Sequence, residues 1–214
     1  MRRIRLFRRG DEAALGEICV RTAAAGQDAA GQLSDDEIWP AIFAWPYAHR
    51  HPDIAFVVET DDARVAGYVV GAPDTDAFET WFAQRWWPRY ARRWPRPADR
   101  DTLEADILSL AYERGGSANR WQAAGYPAHL HIDLLPELQG QGWGRRLIGA
   151  FVERLRGRGV PGVHLVADAA NTGAAWFYPR VGFHPLPAEE GSRAFGMRLP
   201  RVDAGHSGHS PGRP

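Results

Sequence analysis

Three side chains that can bind or move a proton occur at alternate positions in one short segment: His129, His131 and Asp133. Residues 128–135 have the apolar pattern of a buried strand, and side chains two residues apart lie on the same face of a strand. The pattern therefore predicts a general base, Asp133 or His131 acting through water. The alternative is that these are ordinary buried strand residues. We expect no metal here, because no flanking side chains complete a ligand set.

Directly after this strand, three glycines alternate in the segment Gln139-Gly140-Gln141-Gly142-Trp143-Gly144. Beyond the turn, apolar residues recur at helical spacing, with arginines on the other face. Such a turn presents several backbone N–H groups at the positive end of a helix, which suits a phosphate or pyrophosphate. Glycine is needed where a side chain would block the backbone or where φ is positive. The residues alone also allow a strand–helix turn that binds nothing.

The turn and the residues before it carry a resemblance to a known family. Gln139-x-x-Gly142-x-Gly144 resembles the (Gln/Arg)-x-x-Gly-x-(Gly/Ala) motif of the GNAT acetyltransferase superfamily. The preceding residues, Leu134-Leu135-Pro136-Glu137, resemble the strand end that comes before this motif. In that family the turn amides hold the pyrophosphate of acetyl-CoA, so the resemblance implies acetyl-CoA as co-substrate.

A second segment strengthens the resemblance. Asn171 begins a short predicted helix that reaches Tyr178, and Gly182-Phe183 follows. This is similar to the second GNAT motif, in which an Asn-led helix ends in Tyr-x-x-x-Gly-Phe. Because both motifs occur in the family's order, the chain is identified as a member of the superfamily. The resemblance implies an α/β GNAT fold, with a mixed central sheet of six to seven strands flanked by helices.

The resemblance also implies roles for individual residues. Leu134 and Leu135 would give backbone hydrogen bonds to the pantetheine arm and the thioester oxygen, and Asn171 would face that arm or simply cap its helix. Tyr178 stands where the family places its usual general acid, a phenol that can donate to a departing thiolate. The alternative is a tyrosine that only packs beside the cofactor. The implied cofactor-binding set is Leu134, Leu135, Gln139, Gly140, Gln141, Gly142, Trp143, Gly144, Arg145, Asn171, Ala174, Phe177 and Tyr178.

Residues 73–127 separate a predicted hairpin from the cofactor strand and are predicted to form a helical insert rich in tryptophan and arginine. Three interpretations are open. The insert is a helical pair whose aromatic residues join the core, a lid or wall over the acceptor pocket, or a surface for nucleic acid. The last is the weakest, since no recognised binding motif is present. The insert also resembles, more narrowly, bacterial relatives of the C-terminal acetyltransferase-like domain of animal O-GlcNAcases, a fold that can persist without demonstrated catalysis.

Two further sequence features concern the organisation of the chain. Ser34 and Glu37 have capping-box spacing ahead of a predicted helix, which Pro46 should end. Residues 201–214 contain Gly, Ser, His and Pro without periodicity, which indicates a disordered tail. We therefore predict one GNAT domain over residues 1–200, followed by that tail.

Composition limits the classes of partner and the compartment. Among 214 residues, 44% are hydrophobic and 24% charged, as in soluble globular proteins, and the formal net charge is zero. A neutral chain has no overall field that would attract nucleic acid or a membrane. Cys19 is the only cysteine and no signal peptide is evident, so we expect a cytoplasmic protein.

The sequence thus predicts a GNAT-type N-acetyltransferase, acting as a monomer or homodimer on a small-molecule or peptide amine. Acetyl transfer needs a deprotonated amine, a polarised carbonyl, reactants held together and a protonated leaving thiolate. The rival from another class is a catalytically silent module that binds acetyl-CoA. A second rival is a nucleic-acid binder that uses the arginine- and tryptophan-rich insert.

Overall fold

The computed structural model describes residues 1–115, 120–121 and 124–200. The predicted tail, residues 201–214, lies outside the described residues. The elements in chain order are β1 Arg3–Leu6, α1 Glu12–Val20, α2 Ile38–Phe43, α3 Trp45–Arg50, β2 Phe56–Glu59, β3 Val65–Ala72, α4 Thr75–Trp81, α5 Leu103–Glu113, β4 Ala128–Leu134, α6 Trp143–Gly157, β5 Gly162–Asp168, α7 Thr172–Arg180, β6 His184–Leu186 and β7 Ser192–Arg198.

The strands form one seven-stranded mixed sheet in the order β1-β2-β3-β4-β5-β7-β6. Neighbouring strands are antiparallel except for the central pair β4 and β5, which is parallel. Helix α6 packs on β2, β3 and β4, and helices α1 and α3 pack on β3. The predicted α/β architecture with a mixed sheet flanked by helices is therefore confirmed.

The parallel strands β4 and β5 diverge soon after they begin. They pair only at Ala128↔Val163 and His129↔His164, although both strands continue well beyond these positions. On its other side, β4 stays paired with β3 from His129 to Leu134, without a shift in register. The divergence opens a gap in the middle of the sheet, and the unbroken register keeps the side chains of β4 in strict alternation.

One glycine in β3 allows α6 to lie close against the sheet. A Cβ atom placed on Gly71 would lie 2.2 Å from the carbonyl oxygen of His129 and 2.6 Å from the ring of Phe151, which belongs to α6. Gly149, on the exposed side of α6, would have nothing within 4 Å of such an atom. Packing therefore requires glycine at position 71 but not at position 149.

Changing Gly71 to alanine should lower the free energy of unfolding by at least about 2 kcal/mol, because overpacking a core costs roughly 1–3 kcal/mol and here the backbone itself obstructs. Gly149→Ala should raise it by about 0.5–1 kcal/mol, since alanine is the better helix former. Urea unfolding of both variants measures the difference. Equal stability of the two variants would contradict this packing.

The segment between β3 and β4 is helical and aromatic. After α4, a π-helical turn at Phe82–Trp86 and a 3₁₀-helical turn at Trp87–Arg89 lead toward α5. The indole N–H of Trp86 donates to the Ala41 carbonyl at 2.8 Å, and that of Trp94 donates to Asp35 at 2.9 Å. Both rings are buried, and the guanidinium of half-exposed Arg93 covers Trp94 from outside. The aromatic residues thus join the core, as in the first of the three interpretations.

Two local predictions for the region before β2 were wrong. Ser34 does not cap a helix with Glu37, because α2 begins at Ile38 and the Ser34 N–H and hydroxyl both bind Glu104 of α5. Pro46 does not end a helix either. It lies in the first turn of α3, where its missing N–H costs no hydrogen bond.

Candidate functional site

A cleft of about 730 Å³ opens between the end of β4, the glycine turn and α7. We call it the large cleft. A smaller space of about 260 Å³, the inner cavity, lies beside it under α1 and α2 and contains Trp39, Phe43 and His131 in its walls. Asp133, Asn171 and Tyr178 line both, so the two spaces meet at these side chains.

The structure brings most of the predicted cofactor residues together around the large cleft: Leu134, Gln139, Gly140, Gly142, Gly144, Arg145, Asn171, Ala174, Phe177 and Tyr178. The side chain of Gln141 turns away and donates to the Glu137 carbonyl at 2.7 Å. Trp143 is buried beneath the guanidinium of Arg146. Leu135 is also buried, with its side chain only 1% exposed.

The main chain of Leu135 is occupied within the fold, which corrects the expectation for this residue. Its N–H donates to the Ala66 carbonyl of β3 at 2.9 Å, and its carbonyl accepts from the Leu138 N–H at 2.9 Å. Main-chain groups in an antiparallel ladder point alternately to one neighbour and the other. The main-chain groups of Ile132 and Leu134 therefore point toward the diverged strand β5, where the Leu134 carbonyl accepts a hydrogen bond from Nε2 of Gln139 at 2.9 Å.

The glycines of the turn are needed for two different reasons. Gly140 and Gly142 have φ of 70° and 81°, a left-handed conformation, and each has open space where a Cβ atom would be. Gly144 instead lies against α7, where a Cβ atom would be 2.9 Å from the ring of Phe177. The first two shape the turn, and the third lets α6 approach α7.

The N-terminus of α6 is suited to an anion. The Arg146 N–H donates to the Gly142 carbonyl at 3.2 Å, which is the first bond of the helix, so the preceding N–H groups point out of its end. Gly142 supplies no side-chain cap. Arg145 adds positive charge at the cleft and donates to the Arg180 carbonyl at the end of α7, at 2.6 Å. Free amides, helix dipole and guanidinium all favour negative charge.

Asn171 is the N-cap of α7, as expected. Its side-chain oxygen accepts a hydrogen bond from the Ala174 N–H at 3.0 Å. Because this bond uses the oxygen, the amide nitrogen of Asn171 is left to face the spaces that the residue lines. The two predicted roles, helix cap and wall of the cofactor site, are therefore compatible.

Tyr178 is buried, and its ring packs against Phe183 and Phe195 with centroids 5.6 and 5.2 Å away. Its hydroxyl has no hydrogen-bond partner among the residues that the structure describes. Burial, together with the charge of Asp133, raises the pKa of the phenol well above its ordinary value. Tyr178 is therefore protonated at neutral pH and has a free hydrogen to donate.

Asp133 of β4 lies directly opposite Tyr68 of β3, and the Tyr68 hydroxyl donates to the Asp133 carboxylate at 2.5 Å. Burial raises the pKa of Asp133, and the hydrogen bond from Tyr68 opposes that rise. The carboxylate is thus a stronger base than an exposed aspartate, at the junction of the two spaces. That combination suits a general base.

His131 shares the face of β4 with Asp133 but differs in its protonation. Its Nε2 atom is 3.1 Å from the Tyr47 hydroxyl, and it lines the inner cavity. Burial and the nearby charge of Arg114 lower its pKa to about 3. Its ring is therefore neutral near pH 7 and is a weaker base than Asp133.

The sequence model of the Acetyltransferase (GNAT) family matches residues 26–183. This range covers most of the chain and contains β4, the glycine turn, α6 and α7. The chain belongs to the GNAT acetyltransferase family. It is therefore an acyltransferase whose co-substrate is acetyl-CoA.

Solved structures agree with this assignment. The GNAT chain is similar to SsHAT, with 39% sequence identity and a TM-score of 0.86 over 94% of this chain and 99% of that one. It shares its fold with yncA of Salmonella typhimurium, solved with acetyl-CoA (15% identity, TM-score 0.54, 95% and 96% covered). It also shares it with an agmatine N-acetyltransferase (16% identity, TM-score 0.59, 92% and 99% covered).

The helices of this GNAT protein give no sign of a bilayer-crossing segment. Within residues 1–115, 120–121 and 124–200, none combines the length and the apolar character that a membrane span requires. In the same ranges, no group of three or more His, Cys, Asp or Glu side chains is arranged to hold a metal ion.

Proposed function

We propose that this protein moves the acetyl group of acetyl-CoA directly to an amine while both substrates are bound. The observation that carries the proposal is the junction of the large cleft and the inner cavity at Asp133 and Tyr178. A thioester that enters from one space and an amine that enters from the other would meet between a base and an acid. Holding the two reactants together supplies much of the rate enhancement in such a reaction.

The cofactor would bind along the large cleft. Its pyrophosphate would lie on the amides of residues 140–145, beside Arg145. Its pantetheine arm would bond to the main chain of Ile132 and to the N–H of Leu134 in the gap between β4 and β5. The support is the free end of α6 and the early divergence of the two strands. The arm would thereby satisfy main-chain groups that β5 does not reach.

The acceptor amine would enter the inner cavity. As far as described residues form its walls, they contain the carboxyl groups of Asp133 and Asp168 and no arginine. Trp39 and Phe43 add aromatic surface. Negative charge next to aromatic rings favours a protonated amine with an apolar portion, as a small molecule or a peptide end. Such an amine must lose its proton before it can attack.

The two ionisable groups would act in sequence. Asp133, through water, takes one proton from the bound ammonium group before its nitrogen attacks the thioester carbon. Tyr178 gives its proton to the departing thiolate sulfur, and the phenolate then takes the second proton from the newly acylated nitrogen. The charge on Asp133 raises the pKa of Tyr178 in the resting site. Once Asp133 is protonated, that charge is gone and Tyr178 becomes the stronger acid at the moment when the thiolate leaves.

The narrower resemblance, to bacterial relatives of the O-GlcNAcase C-terminal domain, is retained as a proposal. It is supported by the tryptophan- and arginine-rich insert, not by the site. Against the nucleic-acid rival, one arginine of the same insert, Arg93, pairs with Asp35 and Glu37 and covers Trp94. The rival that stays in competition is the silent acetyl-CoA-binding module.

Two measurements separate the enzyme from the silent module. Calorimetry with acetyl-CoA should show saturable binding, which both hypotheses require. Thiol release, followed over a panel of diamines, arylalkylamines and peptides with free N-termini, should show turnover that depends on the amine. Binding without turnover over the whole panel would support the module. Absence of binding would refute both.

Gly142→Asp should weaken acetyl-CoA binding by about 10- to 100-fold, because the new carboxylate would compete with the pyrophosphate for the helix amides, each such bond being worth roughly 1.5–3 kcal/mol. Gly142→Asn is the matched neutral control. Asparagine also tolerates a left-handed conformation, so it should bind acetyl-CoA more tightly than the aspartate variant. Equal affinities in calorimetry would argue against an anion at this turn.

Tyr68→Phe should move the acid limb of the kcat/KM profile to higher pH. The Tyr68 hydroxyl lowers the pKa of Asp133, so its removal raises that pKa, and the base is then protonated at a higher pH than in the wild type. The profile is measured by thiol release at saturating acetyl-CoA. An unchanged acid limb, or a shift to lower pH, would exclude Asp133 as the titrating group.

A further inference from the structure

A buried polar cluster that the proposed reaction does not use lies behind the inner cavity. It centres on the hydroxyl of Tyr47, which is 3.2 Å from Nη1 of Arg114, 3.0 Å from Nε2 of His129 and 3.1 Å from Nε2 of His131. Tyr47 itself is 1% exposed. A phenol has one hydrogen to donate and can accept two, so these three contacts use its full capacity.

Thr75, which contacts His129 at the end of the cluster opposite His131, sets the direction of the hydrogen bonds. The Thr75 hydroxyl is 2.7 Å from the Pro127 carbonyl and 2.8 Å from Nδ1 of His129. A carbonyl only accepts, so the hydrogen of Thr75 goes to Pro127, and Nδ1 of His129 must carry the hydrogen of the second bond. Burial keeps His129 neutral. Its Nε2 atom is therefore an acceptor.

The same reasoning then fixes His131. Arg114 only donates, so it takes one acceptor position on the Tyr47 oxygen, and the hydrogen of Tyr47 goes to Nε2 of His129. The remaining contact must be a donation from Nε2 of His131 to Tyr47. A neutral imidazole with its hydrogen on Nε2 has a lone pair on Nδ1.

We infer that Tyr47 is a positioning residue that holds His131 in the Nε2–H tautomer, with Nδ1 as a hydrogen-bond acceptor in the wall of the inner cavity. Nδ1 has no hydrogen-bond partner among the residues for which the structure gives positions. It would accept an N–H of the acceptor amine beside Asp133 and so aim the nitrogen lone pair at the thioester. The contact of His131 with the amine rests on the proposed function, whereas the Nε2–H tautomer of His131 rests on the hydrogen bonds alone.

The cluster orients and does not conduct protons. A proton passed from His131 through Tyr47 and His129 would reach Thr75. The Thr75 hydroxyl donates to the Pro127 carbonyl, and a backbone carbonyl is not basic enough to be protonated, so the path ends there. Arg114, which donates to Tyr47, is permanently protonated and therefore does not pass a proton on. Both ends are fixed, so the hydrogen-bond directions have one arrangement.

Nitrogen-15 NMR of histidine side chains tests the tautomer without any substrate. In the wild-type protein, with His131 assigned through a His131→Gln variant, Nδ1 should show the shift of an unprotonated nitrogen and Nε2 that of a protonated one. In Tyr47→Phe, the two shifts should move toward each other as the second tautomer becomes populated. A wild-type signal with the proton on Nδ1, or no change in Tyr47→Phe, would overturn the inference.

Kinetics tests the consequence for the acceptor. Tyr47→Phe should raise KM for the amine about tenfold, the value of one hydrogen bond, and change kcat less. Tyr112→Phe, which removes a hydroxyl bound to the Trp94 carbonyl in the insert, should leave both unchanged. If Tyr47→Phe does not fold, Thr75→Ser should keep the wild-type shifts and KM while Thr75→Val alters both. Identical serine and valine variants would contradict the proposed direction.

Discussion

Tyr178→Phe should lower kcat by about 100- to 10,000-fold, the usual contribution of a general acid, while the Kd for acetyl-CoA changes by no more than about twofold. Phenylalanine keeps the ring that packs on Phe183 and Phe195 and loses only the hydroxyl that faces the two spaces. The thiolate would then leave without a proton donor from the protein. Thiol release and calorimetry measure the two quantities separately.

The matched control is Tyr90→Phe, a tyrosine in the insert that lines neither space within the described part of the chain. It should retain wild-type kcat. If Tyr178→Phe also retained it, or if it lost acetyl-CoA binding to the same degree as turnover, Tyr178 would be a packing residue of the cofactor site and not the acid.

Asp133→Asn should lower kcat/KM for the amine by about 100- to 10,000-fold at neutral pH. Asparagine has the same shape and can still accept the hydrogen bond from Tyr68, but it cannot take up the proton of the amine. The activity that remains should increase with pH, because free amine then forms in solution. Steady-state thiol release from pH 6 to 10, at saturating acetyl-CoA, gives both the loss and its pH dependence.

Asp106→Asn, at an exposed position of α5, is the control for removal of one negative charge and should behave as the wild type. A loss in Asp133→Asn confined to KM, with kcat unchanged, would assign Asp133 to binding of the cationic amine. In that event, a base would have to be sought elsewhere in the inner cavity.

The centre of the fold could be predicted from the sequence because its physical signals are local. An apolar strand, alternating glycines and a helix of period 3.6 indicate β4, the turn and α6, and the structure has these elements in that order. The alternation of His131 and Asp133 likewise predicts that they share a face of the strand. Asn171 has the cap position that its residue type favours.

Features that depend on tertiary pairing could not be predicted. Tyr68 meets Asp133 through the register of β3 against β4, which no local pattern encodes. Ser34 has a capping-box partner in sequence, yet it binds Glu104 from a distant helix. Leu135 matches a family position, but its N–H pairs with β3. In each case the observed hydrogen bond joins residues that are distant in the sequence, and no local pattern predicts it.

The parting of β4 from β5 has a consequence for the protein without its coenzyme. Beyond the two paired positions, strands β1–β4 and strands β5–β7 are two half-sheets joined at one end. A pantetheine arm in the gap would serve as a substitute strand and tie the halves together. The coenzyme would then link the two half-sheets as well as supply the acetyl group. The amine would therefore bind to a protein that is more rigid with acetyl-CoA bound than without it.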